Sequence, residues 1–227
     1  MNGILLVDKP VGWTSFDVVA KIRGQVRQAT GNKKAKVGHA GTLDPFATGL
    51  LIVLVGDACK QSDKFMKLDK VYDFTIRLGQ VSTTGDTEGV ITESGDGLNV
   101  TLEHFKSALN EFTGDILQMP PVYSAIKVNG KRAYDLARAG KEVKLDPRKV
   151  TVYSLEITDY SPPNARCKVK VSSGTYIRSL AKDIGEHVGV GAYCTELRRL
   201  SIGNYDVSSA KSPEDPDVLQ NISTDYL

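Results

Sequence analysis

The chain has 227 residues, of which 41% are hydrophobic, 25% charged and 7% aromatic, with 21 Gly and 9 Pro. That composition excludes a disordered, collagen-like or coiled-coil chain and suits one folded domain with an ample core. The net charge is only +2, but residues 212–227 hold four acids and no Lys or Arg, so the rest carries 29 basic against 23 acidic side chains, a net +6.

In chain order, Gly3 to Val7 reads as a strand, and Thr14 or Ser15 caps a helix whose apolar positions Val18, Val19, Ile22 and Val26 keep helical spacing. Leu50 to Val55 is a continuous apolar run of strand length, the pattern of a strand buried on both faces. Tyr72, Phe74, Ile76 and Leu78 alternate with Asp73, Thr75 and Arg77, and a polar, Gly-rich loop is expected from Gly79 to Gly89. Thr101 caps a helix with Leu102, Phe105, Leu109 and Phe112 inward, ended by Gly114. Tyr123 to Val128 reads as a strand entering a tight turn at Asn129-Gly130, followed by a short helix from Ala133 to Gly140. After the strand from Val150 to Ile157, Cys167, Val169 and Val171 alternate with Arg166, Lys168 and Lys170, so one side of that strand is cationic. A helix then places Ile177, Leu180, Ala181, Ile184 and Val188 on one stripe, and a last strand runs through Leu197 and Leu200. Strands and helices mix without strict alternation, so the expectation is an α+β fold with a mainly antiparallel sheet.

Cys59, Cys167 and Cys194 form no CxxC pair, which argues against a disulfide framework or a zinc site and favours a reducing, cytoplasmic setting. The longest apolar run is far too short for a membrane span. There is no GxxxxGK[ST], no GxGxxG after a strand, no HExxH and no GxSxG. No cofactor or metal is therefore expected, and a carboxylate is the best chemical centre.

That carboxylate is Asp44, in the segment from Gly38 to Gly49, where three glycines and a proline force special dihedrals on the backbone. Taken alone, Asp44-Pro45 is an ordinary turn start. Arg178 lies in the first turn of a helix, where the macrodipole disfavours a cation by about 0.3–1 kcal/mol, so a carboxylate partner is indicated for it. Tyr72 fits either a core tyrosine or one that stacks a base and handles a proton. Cations cluster at Lys21, Arg23, Arg27, Lys33, Lys34 and Lys36 and between Lys127 and Lys149, and with Arg198-Arg199 and the cationic strand side they point to a phosphate backbone.

Six strings carry a resemblance. They are Asp8-Lys9-Pro10-Val11-Gly12-Trp13-Thr14-Ser15; Gly38-His39-Ala40-Gly41-Thr42-Leu43-Asp44-Pro45 with Ala47-Thr48-Gly49; Lys70-Val71-Tyr72; Gln118 to Lys127; Gly174-Thr175-Tyr176-Ile177-Arg178; and Leu197-Arg198-Arg199. In this order, along nearly the whole chain, the sequence resembles the TruB-type bacterial pseudouridine synthases, which isomerise uridine 55 in the T arm of tRNA. The resemblance implies the pseudouridine synthase fold, a mixed, mainly antiparallel sheet with flanking helices and an RNA-binding cleft. It implies that Asp44 is the nucleophile, that Tyr72 packs on the flipped uracil and takes part in proton transfer, and that Arg178 pairs with Asp44. His39, Tyr176 and Leu197 fall at the family's substrate-contact positions.

It further implies a catalytic domain over residues 1–208 with an RNA-clamping insertion at 118–148. Full-length members usually continue into a small RNA-binding domain, called PUA, whereas here an acidic tail at 209–227 is expected in its place. The expected partner is tRNA alone, with no membrane and no required protein partner, and the expected state is a monomer. The rival from another class is a non-catalytic RNA-binding or tRNA-folding module on the same scaffold. It needs neither an ionised aspartate nor a partner for one. A nucleoside hydrolase with paired carboxylates ranks last, because the string that holds Asp44 places no second acid beside it.

Overall fold

A computed structural model describes residues 1–124, 126–128 and 130–224, with the side chain of Arg138 left aside. Its elements in chain order are β1 (Gly3–Lys9), α1 (Ser15–Thr30), β2 (Val37–His39), β3 (Thr48–Val55), α2 (Ser62–Met66), β4 (Lys70–Leu78), β5 (Gln80–Ser82) and β6 (Ile91–Glu93). There follow α3 (Leu102–Glu111), β7 (Gly114–Gln118), β8 (Lys127–Val128), β9 (Lys131–Arg132), α4 (Ala133–Arg138), β10 (Arg148–Ser161), β11 (Asn164–Val171), α5 (Ile177–Val188), β12 (Ala192–Ile202) and β13 (Tyr205–Asp206). The chain forms two compact units, Met1–Tyr72 with the segment from Arg198 onward, and Asp73–Leu197. Strands β4 and β12 pass from one unit to the other.

In the first unit β1 and β3 are antiparallel in register from Gly3↔Val55 to Lys9↔Gly49, and β2 pairs antiparallel with the far end of β3. The last part of β12 lies parallel to the start of β3, Arg198 beside Thr48 and Arg199 beside Gly49. Strand β3 is buried on both faces, as its unbroken apolar run predicts. One face, with Leu51, Val53 and Val55, packs with Leu5 and Val7 against Val18, Val19, Ile22 and Val26 of α1. The other, with Leu50, Ile52 and Leu54, packs with Ile4, Phe65 and Ile202. Helix α1 opens with a capping box: the Thr14 hydroxyl accepts from the Asp17 N–H, and the Asp17 carboxylate accepts from the Thr14 N–H.

Residues beyond 208 are more than a tail. Val218 is fully buried among the α1 side chains, with Leu219 and Ile222 packed against the same cluster. Lys211 and Ser223 form bridges to Val7 and Ile4 of β1. The acidic composition hid these few apolar residues, spaced for one helical turn.

The second unit carries the strand order β12–β4–β11–β10–β7, with β10 antiparallel to both neighbours. Strand β4 alternates as expected, burying Tyr72, Phe74, Ile76 and Leu78, with Lys70 on the same face. Helix α3 buries Phe105, Ala108 and Leu109; it stops at Phe112, and Gly114 begins β7 instead of ending the helix. Leu102, expected inward, is 44% exposed because the inward stripe begins only at Phe105.

The stretch expected as a loop from Gly79 to Gly89 opens into a small ladder, β5 against β6. It lacks alternating hydrophobics because neither strand has a buried face: β5 is half-buried throughout and β6 is exposed throughout. The strand expected from Tyr123 is reduced to Lys127–Val128 against Lys131–Arg132, and Asn129 lies outside the described residues.

Candidate active site

Six residues carry the expected chemistry. His39, Asp44 and Tyr72 fall in the first unit, and Tyr176, Arg178 and Leu197 in the second.

In the first unit His39 ends β2, and Asp44 sits half-buried in the loop between β2 and β3. The loop is held through its main chain from three directions. The buried Ser15 hydroxyl accepts from the Leu43 N–H at 2.8 Å and donates to the Leu43 carbonyl at 3.1 Å, so one side chain satisfies both backbone groups of the residue before Asp44. The carbonyl of Pro45 accepts from Gly12 N–H at 2.8 Å and from Lys9 Nζ at 3.3 Å, and Lys9 also donates to Pro10 and Trp13 carbonyls. Arg199, 1% exposed, donates to the carbonyls of Gly41, Thr42 and Leu50 at 2.7–3.3 Å. The two strands approach so closely here that a Cβ at Gly49, where φ is +103°, would lie 2.3 Å from the Arg199 carbonyl oxygen. Only glycine meets both demands.

Tyr72 is 8% exposed on β4. Two residues before it, buried Lys70 donates to the carbonyls of Met66 and Leu68. Burial, with the charge of Arg199 adding to it, pushes the Lys70 ammonium down to about 8.

In the second unit Arg178 is 4% exposed at the second position of α5. Its Nη1 lies 3.2 Å from Asp86 Oδ2 and donates to the Thr84 carbonyl at 2.9 Å, while Nη2 donates to the Tyr123 carbonyl at 2.8 Å. Asp86 is itself buried and accepts from the Thr84 hydroxyl and the Glu88 N–H. The macrodipole argument calls for a carboxylate beside Arg178, and Asp86 is one. Sequence reading missed it because it lies in the polar stretch after Gly79, among other acids with no periodicity to single it out.

Tyr176 is the residue from which α5 starts, and the Gln118 side chain brackets its backbone: the Gln118 amide nitrogen donates to the Tyr176 carbonyl at 3.1 Å, and the amide oxygen accepts from the Tyr176 N–H at 2.8 Å. Leu197 is buried, at the last position of the unit.

Several cations read as candidate RNA contacts have other work. Arg198 forks onto Asp8, at 3.1 and 2.7 Å, and Arg199 is spent on carbonyls. On β11, Arg166 pairs with Asp73 at 2.7 Å, Lys168 stands opposite Glu156, and Lys170 lies over the ring of Tyr153. Strand alternation shows Arg166, Lys168 and Lys170 but not the acids that neighbouring strands bring to the same face. Lys21, Arg27, Lys33, Lys34 and Lys36 in the first unit, and Lys127, Lys131, Arg132, Lys141 and Lys144 in the second, are exposed.

The family described as TruB family pseudouridylate synthase (N terminal domain) matches residues 27–177, and the one described as tRNA pseudouridylate synthase B C-terminal domain matches residues 178–219. Among curated relatives, the tRNA pseudouridine synthase B of Aquifex aeolicus (strain VF5) is 46% identical over 217 residues, 95% of this chain and 73% of the relative. That of Endomicrobium trichonymphae is 44% identical over 222 residues, 98% of this chain and 94% of the relative. Among solved structures, a Cbf5-Nop10-Gar1 complex matches with a TM-score of 0.70 at 29% identity, over 95% of this chain and 54% of that one. An H/ACA RNP bound to a substrate RNA containing 2'-deoxyuridine matches with a TM-score of 0.68 at 28% identity, over 94% of this chain and 51% of that one. The present chain thus spans about half the length of those two solved chains. With both family matches running end to end across residues 27–219, the chain belongs to the TruB family of pseudouridylate synthases and has the pseudouridine synthase fold.

Proposed function

We propose that this chain isomerises uridine to pseudouridine in tRNA, at position 55 in the T arm, by flipping the nucleotide out and using Asp44 to cleave and re-form the glycosidic bond. The observation that carries this reading is the 44–46% identity, over at least 95% of the chain, to two proteins named tRNA pseudouridine synthase B. The family matches take in all six candidate residues.

The reaction breaks N1–C1′, turns the base and joins C5 to C1′, while a proton leaves C5 and one is gained at N1. Atoms and electrons balance within the substrate, so no group donor or electron acceptor is needed. In this reading Asp44 is the nucleophile and Arg178 its counter-ion, which keeps the carboxylate charged away from bulk water. Attack at C1′ and removal of the 2′ hydrogen both require that charge. Tyr72 packs on the uracil and handles a proton, and His39, Tyr176 and Leu197 contact the flipped nucleotide. Extrusion costs a few kcal/mol, offset by stacking and hydrogen bonds in the pocket. The exposed cations of residues 127–144 grip the T arm, so affinity falls with added salt. The substrate is tRNA alone, and the chain works as a monomer in the cytoplasm. No helix among the described residues is long and apolar enough to cross a membrane.

The test is to incubate the purified chain with unmodified tRNA and map pseudouridine. Conversion at uridine 55 supports the reading. Bound but unchanged RNA indicates the binding module instead, and released base indicates a hydrolase.

A further inference from the structure

The motif that begins at Gln118 has a part in the molecule that the reaction does not by itself require. Gln118 closes β7 and is 1% exposed, and its register partner across the β7–β10 ladder is Arg148. The two ends of segment 118–148 are therefore paired with each other. From that mouth, four hydrogen bonds run to the first turn of α5. Gln118 supplies two, to the N–H and the carbonyl of Tyr176. The Met119 carbonyl accepts from the buried Ser179 hydroxyl at 2.8 Å, and the Tyr123 carbonyl accepts from Arg178 Nη2 at 2.8 Å.

Helix α5 begins without a side-chain cap from Tyr176, whose carbonyl already accepts from the Leu180 N–H. The direction in which the chain enters the helix is set instead by the Gln118 amide, which copies a two-bond β-bridge onto Tyr176. That direction decides where the side chains of Tyr176 and Arg178 point. No other common side chain of this length offers a donor and an acceptor in one plane: ionised glutamate lacks the donor, methionine has no donor and only a weak sulfur acceptor, and asparagine is one methylene too short.

We propose that Gln118 is a positioning residue for the reaction: it fastens the mouth of the 118–148 segment to the start of α5 and so sets the placement of Tyr176 and Arg178. This rests on the proposed isomerase reading. The fastening lies outside the reacting atoms, so its removal lowers the rate of the chemical step and leaves RNA binding largely intact.

The experiment compares wild type, Gln118→Met and Ser179→Ala on unmodified tRNA, with enzyme in excess so that a misfolded fraction does not alter the single-turnover rate constant. RNA affinity, thermal unfolding and amide exchange across residues 176–180 are measured on the same samples. Gln118→Met is expected to lower the saturated single-turnover rate at least tenfold, change RNA affinity less than threefold and speed exchange of the Tyr176 amide. Ser179→Ala, which removes one of the four bonds, is expected to lose about threefold, and it carries the test alone if Gln118→Met does not fold. A wild-type rate constant in the folded variant, or a loss that appears wholly as weaker RNA binding, overturns the proposal. A wild-type chain that makes no pseudouridine overturns the isomerase reading instead. Amide exchange then still decides the fastening, since an unchanged Tyr176 amide in Gln118→Met would refute it.

Discussion

Around Asp44 the holding groups are a hydroxyl and two cations directed at main-chain atoms of residues 41–50, whereas around Arg178 a buried carboxylate answers a buried guanidinium. Holding a loop by its backbone fixes where a residue stands. Holding a side chain by an ion pair and two carbonyls fixes the charge itself. In the first unit the arrangement presents an acid, and in the second it presents a rigid cation. In the proposed reaction, a nucleophile and its counter-ion ask for that division of labour.

The comparison is sharpened most by Asp44→Asn, which removes the presented group and leaves in place the main-chain bonds that hold the loop. Product formation is expected to fall to background with tRNA binding nearly unchanged, and turnover near wild type would sink the assignment. Next in size is Arg178→Lys. An ammonium cannot reproduce the planar fork that reaches Asp86, Thr84 and Tyr123 together, and a loss of about 10²–10³ in single-turnover rate is expected.

Asp86→Asn tests the ion pair as structure. Leaving a buried guanidinium without this carboxylate is expected to cost about 3–5 kcal/mol in urea unfolding, and a cost below 1 kcal/mol would mean that Asp86 does not hold Arg178. Ser15→Ala does the same for the other region. It strips both bonds from the buried Leu43 backbone, so about 1–3 kcal/mol of stability is expected to go, along with part of the rate.

The smallest effect is electrostatic. Burial, with Glu186 adding to it, raises the Asp183 carboxyl to about 6. A raised acid binds more protons folded than unfolded, so its contribution is full below about pH 4 and is lost as pH rises through about 6. Asp183→Asn is therefore expected to stabilise the protein at pH 7, by at most about 1 kcal/mol given the group's partial exposure, and to give no gain at pH 4. Thermal melts at the two pH values check it.

How much of this was legible from sequence varies with the kind of signal. The burial of β3, the alternation of β4 and the cap of α1 follow from periodicity and local chemistry, and the structure reproduces them. Asp44 stood out because glycine and proline mark a constrained backbone. What constrains it did not stand out. Ser15 and Arg199 are 29 and 155 residues away from Asp44 along the chain, and one reads as a helix cap while the other reads as an RNA-binding cation. Sequence periodicity reports which face a residue takes within its own element. It does not report which carbonyl or carboxylate another element brings there, and this is also why Asp86 and the acids facing β11 escaped notice.

The bridges that Lys211 and Ser223 make to β1 give the first strand company on the side away from β3. An uncovered outer strand is a template for unwanted pairing with another chain. A proteolytic cut between residues 211 and 223 would release that guard and the buried Val218 together. The expected result is a protein that clumps before it loses its chemistry, since the Asp44 loop keeps its own set of bonds.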